Sequence, residues 1–293
     1  MIQGIIIKAL SGFYDVLADD HLYTCKGRGV FRKKKITPLV GDYVEVDAQS
    51  DSTGTIVSIQ DRRNELIRPP IANVDQAIIV SSVVEPEFNP LLLDRFLVLI
   101  EYKDIKPLIV FTKEDLTTDE QLDELNAYAN IYRDIGFKVL IVSKVMEDLN
   151  DKIYPHLANK LSVIAGQSGV GKSTLLNKLD DELEIETGTI SKSLGRGKHT
   201  TRHVELYHVG GGYVADTPGF SSLDFDEIEL EDLRFCFREF LDYQDDCKFR
   251  GCLHMNEPKC AVKSAVEQGE IANFRYEHYQ NFYEEIKQRK PRY

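Results

Sequence analysis

Residues 166–174, GQSGVGKST, restrict the fold of this 293-residue chain more than any other stretch. Gly166, Gly171, Lys172 and Ser173 satisfy G-x-x-x-x-G-K-[ST]. The apolar run LSVIAG leads into the loop and the helix-forming STLLNKL leads out, as a strand–loop–helix phosphate site requires. Glycines let the backbone N–H groups of Gln167, Ser168, Gly169 and Val170 turn inward around phosphate oxygens. Lys172 is placed to bridge the β- and γ-phosphates and Ser173 to ligate Mg²⁺. Thr174 continues the first helical turn, whose dipole favours an anion. More than half of the chain precedes this loop, so the order of the surrounding elements becomes the question.

Strand and helix candidates alternate upstream. QAIIVSSV, PLIVFTK, FKVLIVSK and LSVIAG read as strands. LLLDRFLVLIEYK, DEQLDELNAYANIYRDIG and MEDLNDKIYPHLA read as helices, the second with Leu122, Leu125, Tyr128, Ala129 and Tyr132 on one side. Such alternation predicts a parallel sheet covered on both faces, beginning near residue 71. Ahead of it, GIIIKAL, FYDVLA, HLYTCKGRG, GDYVEVD and GTIVSIQ are five closely spaced strands without a helical stretch. They predict a small barrel of the oligonucleotide/oligosaccharide-binding type, an SH3-like barrel being the other candidate. RNELIRPPIANVD reads as a linker broken by Pro69 and Pro70. The chain is therefore expected to be multidomain: a barrel (1–66), a central α/β phosphate-loop domain (71–225) and a mostly helical C-terminal region (226–293).

The net charge of −12 is unevenly spread. Residues 71–246 carry seventeen Lys and Arg against thirty-three Asp and Glu, whereas both flanks are mildly basic. Basic flanks suit nucleic acid and an acidic centre suits another task. CKGRGVFRKKK, between the third and fourth strands, reads as a basic loop. Lys26, Arg28, Arg32, Lys33, Lys34 and Lys35 suit phosphate contacts, and Phe31 suits base stacking. No apolar run approaches the ~20 residues of a membrane span, and the N-terminus lacks a signal-peptide pattern. A cytoplasmic monomer is expected, without membrane contact.

Cys247, Cys252, His254 and Cys260 lie in CKFRGCLHMNEPKC, a C-x4-C-x-H-x5-C pattern. Three thiolates and an imidazole within fourteen residues suit one closed, tetrahedral, structural Zn²⁺ site. Cys25 and Cys236 are left as buried or free thiols.

Downstream of the phosphate loop, GYVADTPGF is a β-run ending in Asp216, a carboxylate for Mg²⁺. Gly219 can offer its N–H to a γ-phosphate. Between the two motifs, SLGRGKHTTRHVEL supplies Thr201, or Thr200, as a further Mg²⁺ ligand. Upstream, FTKEDL places Thr112, Lys113 and Asp115 at a strand end. Asp115 can accept from N1–H and the 2-amino group of guanine, a donor pair that adenine lacks. Such pairing discriminates by ~10⁴-fold or more. The Lys113 stem can cover the ring, and backbone near Ser143 and Lys144 can meet guanine O6. All these strand ends gather at one edge of a parallel sheet.

The order TKxD, SK, GxxxxGKS, Thr, DTPG resembles the circularly permuted GTPases. With the barrel and the Cys/His motif, the whole chain resembles their small-ribosomal-subunit-dependent members. The resemblance implies GTP hydrolysis stimulated by the small subunit, contact with its rRNA, and a role in its late maturation. Phe220 stands where related enzymes carry a water-orienting Gln, so intrinsic hydrolysis should be slow. His199 is the candidate replacement, through a neutral imidazole able to bind water, and the resemblance also points to a histidine here. Arg196 and Arg202 could steady charge. Two other readings are an ATP-using phosphate-loop enzyme and an RNA-binding protein that senses GTP or GDP with little catalysis.

Overall fold

The computed structural model describes residues 1–67, 69–180, 183, 204–215 and 223–289, with the side chain of Arg32 left out. Strands β1 (Ile2–Leu10), β2 (Phe13–Ala18), β3 (His21–Gly27), β4 (Tyr43–Ala48) and β5 (Thr53–Ile59) close a barrel in the order β1-β2-β3-β5-β4. β3 and β5 run parallel and every other pair antiparallel. This Greek-key closure answers to the oligonucleotide/oligosaccharide-binding type. Alternate residues Ile6, Val16, Tyr23, Cys25, Val44, Val46 and Ile56 fill the interior, as a two-residue side-chain period demands.

The expected basic loop is different in one respect. Helix α1 (Gly29–Lys34) occupies it, so the barrel does contain a helical stretch. Phe31 turns inward at 8% exposure and is no stacking platform. Removing a phenyl ring from water into the core outweighs leaving it among lysines. Lys26, Arg28, Lys33, Lys34 and Lys35 stay exposed.

The linker is not loose. β6 (Glu65–Leu66) and β7 (Ile71–Ala72) pair antiparallel, and Ile71 bridges Val40 of the barrel. The Arg62 guanidinium donates to both oxygens of the fully buried Asp42 at 2.7 and 2.8 Å. Gly41, at φ +86°, lies so close to the linker that a Cβ there would come 2.1 Å from the Ala72 carbonyl oxygen.

The central sheet comprises β8 (Gln76–Ser82), β9 (Lys106–Thr112), β10 (Lys138–Ile141), β11 (Leu161–Ala165), β12 (Leu206–Val209) and β13 (Gly212–Ala215). Their spatial order is β10-β9-β8-β11-β13-β12. Helices α2 (Pro90–Tyr102), α3 (Asp119–Asp134), α4 (Leu149–Leu157) and α5 (Lys172–Leu179) cover its faces. Asn89 caps α2 by accepting from the Leu92 N–H, with Pro90 at the first helical position. Thr118 and Gln121 form a reciprocal capping box on α3. The expected parallel sheet holds for five strands, but β12 is antiparallel to β13. Only Gly210 and Gly211 separate those two strands, and so short a turn cannot make a parallel crossover. Among the described residues no helix is long and apolar enough to cross a membrane.

Beyond the sheet, α6 (Leu230–Leu233), α7 (Arg238–Leu241), α8 (Ala261–Glu267) and α9 (Asn273–Lys287) build the C-terminal region. Phe237, Phe240, Tyr279 and Phe282 form its aromatic core. α9 docks on α2 and α3 through a buried charge cluster. The Arg275 guanidinium, fully buried, pairs bidentately with Glu239 at 2.6 and 3.1 Å and forms an ion pair with Asp94. Asp94 also accepts from Tyr132 at 2.7 Å and pairs with His278 at 2.6 Å. Burial opposes the guanidinium charge, but the two carboxylates outweigh it and hold Arg275 above the usual arginine range. Arg275→Met should leave two buried carboxylates without their counter-charge and cost about 3–5 kcal/mol. Denaturant unfolding followed by far-ultraviolet circular dichroism checks this.

Candidate nucleotide and metal sites

The carboxyl ends of β8, β9, β10 and β11 meet at one edge, and the glycine loop curls over it. Gly166, Gly169 and Gly171 have φ of +140°, +85° and +96°, a left-handed sequence that aims successive N–H groups into one concavity. At Gly166 a Cβ would sit 2.2 Å from the Val80 carbonyl oxygen. Gln167, Ser168 and Gly169 are exposed, whereas the Val170 side chain is buried, so that residue offers only its backbone. The Lys172 ammonium folds over the loop and donates to the Gly166 and Gln167 carbonyls, both at 2.8 Å. Ser173 and Thr174 follow in the first turn of α5.

A cavity of about 150 Å³ adjoins the loop. Thr112, Lys113, Asp115, Ser143 and Lys144 line it, together with Gly171 and Thr174. All five upstream residues expected from TKED and SK therefore share one cavity with the phosphate loop. Asp115 is exposed on a short 3-10 turn after β9, while Lys113 stands in the left-handed region at φ +65° and its ammonium donates to the Glu85 carbonyl. Ser143 is buried. The sequence reading missed the remaining wall: Leu116, Val142, Leu149, Leu175 and Lys178. Leu175 and Lys178 could have been found from their place on the helix after the loop, but nothing in the sequence marks Leu149. Also missed was a tie between the two halves. The buried Thr112 hydroxyl donates to the Val170 carbonyl at 2.6 Å.

Asp216, Gly219 and Phe220, and His199, Thr200, Thr201, Arg196 and Arg202, lie outside the described residues.

The RsgA GTPase family model matches residues 59–226, and the RsgA N-terminal domain model matches residues 3–56. The chain belongs to the RsgA GTPase family. It is 61% identical over 293 residues to "Small ribosomal subunit biogenesis GTPase RsgA 2" of Oceanobacillus iheyensis, covering all of both chains. It is 59% identical to "Small ribosomal subunit biogenesis GTPase RsgA" of Bacillus cereus, again over the full length of both. Among solved structures it is similar to YloQ, described as a circularly permuted GTPase. There the TM-score is 0.87 at 52% identity, covering 100% of this chain and 97% of that one. YjeQ from Thermotoga maritima gives a TM-score of 0.87 at 35% identity, covering 99% of each. Membership makes this chain a GTP hydrolase with a circularly permuted order of motifs along the chain.

In the C-terminal region Cys247, Cys252, His254 and Cys260 bring their ligand atoms within 4.8 Å of one another. His254 Nδ1 lies 3.3 Å from Cys260 Sγ and 3.7 Å from Cys247 Sγ, and the two sulfurs are 3.9 Å apart. A tetrahedral ion with metal–sulfur bonds of ~2.3 Å needs edges of ~3.8 Å, so the donors fit. Burial, with a contribution from Arg234, lowers His254 to about 4, which leaves a neutral imidazole free to ligate. Burial pushes the Cys252 thiol up to about 12, and a bound dication would reverse that by taking up the thiolate. The loop is held by Glu257, which accepts from the Leu253 and Met255 N–H groups at 2.9 Å each. From α9, Tyr276 and Tyr279 donate to the carbonyls of His254 and Leu253. Cys25 and Cys236 stand apart, buried and free, as expected. Such a cluster takes a metal such as zinc.

A side chain at Gly166 meets both a positive φ and a backbone oxygen. Gly166→Ala should displace the loop and lower GTP turnover by about tenfold or more, corresponding to roughly 1–3 kcal/mol of strain. Steady-state phosphate release checks this, with circular dichroism to confirm that the rest of the fold is kept.

Proposed function

We propose that this chain binds GTP across the carboxyl edge of its central sheet, hydrolyses it slowly alone and faster on the small ribosomal subunit, and assists that subunit's late maturation. The observation that carries the nucleotide reading is one cavity lined by Asp115, Lys113, Ser143 and Lys144 that runs into Gly171 and Thr174. Asp115 accepts from N1–H and the 2-amino group of guanine. Lys113 covers a ring face, and the backbone at Ser143 and Lys144 meets O6. The loop from Gly166 to Val170 cradles the phosphates, and Lys172 exchanges its two carbonyl partners for phosphate oxygens. Ser173, with Asp216 and Thr201, would hold Mg²⁺, which supplies charge neutralisation across the β- and γ-phosphates when bound. Gly219 donates to the γ-phosphate. His199 takes the water-orienting role that Phe220 cannot fill, so His199→Ala should lower turnover more than GTP affinity.

The metal of the Cys/His cluster is Zn²⁺ in this reading, one ion with a structural role. Its four protein ligands leave no open position for chemistry. The partner assignment rests on the relatives' names and on the exposed basic run of the barrel. In this reading the protein works in the cytoplasm as a monomer and contacts rRNA through phosphate and shape.

Two measurements test these statements. Asp115→Asn should exchange guanine for xanthine nucleotides, because xanthine carries a carbonyl where guanine carries the amine. A variant that keeps its guanine preference in competition binding removes the base assignment. Chelation of the metal should unfold the C-terminal region, since zinc contributes ~10–16 kcal/mol to small domains of this kind. Metal analysis alongside circular dichroism reports it, and full retention of structure without metal contradicts the structural role.

A further inference from the structure

The opposite edge of the central sheet carries a second, basic feature. Lys106 opens β9, Lys138 opens β10, and Lys160 immediately precedes β11. In register Lys106 lies beside Gln76, the first residue of β8, and Gln76 lies beside Ser162 of β11. Across neighbouring strands the amino-terminal edge therefore reads lysine, lysine, glutamine, lysine, in a stagger: Lys138 lies beside Leu108, two residues beyond Lys106, and Lys160 two residues before Ser162. At the usual strand spacing of ~4.8 Å the four strands span about 14 Å across, and the stagger makes the row a diagonal somewhat longer than that. The Lys160 side chain reaches along it, donating to the Gln76 amide oxygen at 3.1 Å and the His156 carbonyl at 2.7 Å. His156 stands behind the row at the end of α4.

Acids match these cations only in part, through Asp75 acting on Lys160. Among the described residues neither Lys106 nor Lys138 has a carboxylate in ion-pair range. The nearby Asp75 is paired with Arg63 at 2.8 Å. Burial, then the ammonium groups of Lys138 and Lys106, outweigh the attraction of Asp75 and hold Lys160 below the usual lysine range. Burial, Lys138 and Lys160 do the same to His156. Like charges have been gathered at a cost, within a segment whose overall balance is strongly acidic. An anion lying along the row relieves that repulsion. A single small anion would touch one or two of the lysines. A row this long matches several successive phosphates of one nucleic-acid strand.

We propose that Lys106, Lys138 and Lys160 form a docking edge for the phosphodiester backbone of RNA, on the side of the GTPase domain opposite the nucleotide. The partner in question is the rRNA of the subunit, so the inference rests on the small-subunit reading above. It gives the acidic central domain its own RNA contact, separate from the basic run of the barrel. The edge positions the domain and takes no part in hydrolysis.

The test uses the full-length, metal-loaded protein and the double variant Lys106→Gln/Lys138→Gln, both positions being exposed. Binding to purified small subunits is measured across a potassium chloride series. The variant should bind about tenfold more weakly, and its log K against log salt slope should fall by about 1.5, near the value for two lost phosphate contacts. GTP turnover without subunits should be unchanged. Wild type and variant with the same affinity and slope overturn the docking edge while leaving the small-subunit reading intact. Wild type that fails to bind subunits removes both. A variant weakened on subunits but not on naked small-subunit rRNA shows that the edge faces a ribosomal protein, against the proposal. Inorganic phosphate that abolishes the difference at constant ionic strength identifies a small-anion site instead, with the same consequence.

Discussion

Parallel strands all end on the same edge of their sheet, whatever order the chain visits them in. Every functional feature of the central domain follows from that constraint. β9 and β10 deliver Lys113, Asp115, Ser143 and Lys144, and β11 delivers the glycine loop, to one cavity. The first group precedes the second in sequence, yet in space they are neighbours. The hydrogen bond from Thr112 to the Val170 carbonyl closes the gap directly. The TKED and SK strand ends and the glycine loop are thereby held in one frame, as the proposed grip on a purine and its phosphates requires.

The same geometry divides the domain electrically. One edge presents backbone N–H groups, Lys172 and a carboxylate, and the other presents a row of lysines. The outer domains are fixed to this body by charge pairs, buried at Asp42 and Arg275 and part-exposed at Lys8. Asp42 and Arg62 bind the barrel to the linker, and Lys8 of β1 pairs with Glu205 just before β12 at 2.9 Å. Arg275, between Asp94 and Glu239, binds α9 to α2 and α7. A buried pair is costly to break from one side, so the Asp42 and Arg275 junctions resist separation, while the part-exposed Lys8–Glu205 pair adds little. The Cys/His loop is in turn buttressed by tyrosines of the same α9. Metal, C-terminal core and GTPase domain thus share one helix.

Much of this was legible in the residues because it rests on local chemistry. The glycine loop is fixed by spacing, since φ of +140°, +85° and +96° at 166, 169 and 171 strongly favours glycine. The Cys/His cluster is likewise a matter of ligand type and short separation. Periodicity marked the buried side of α3, where Leu125, Ala129 and Tyr132 are buried. Phe31 shows the limit of that approach. Its basic neighbours suggested an exposed stacking surface, and burial in the core drew it inward.

The sequence by itself determined the phosphate loop, the TKED and SK strand ends, the metal-ligand set and the alternation that makes a largely parallel sheet. Each depends on residues close in the chain or on a repeating period. Only the tertiary structure decided that β12 turns back antiparallel, that Leu149 walls the nucleotide cavity, that Arg275 is buried between two acids, and that three distant lysines line one edge. Those outcomes depend on which elements pack side by side, and contacts between residues far apart in the chain leave no local pattern to read.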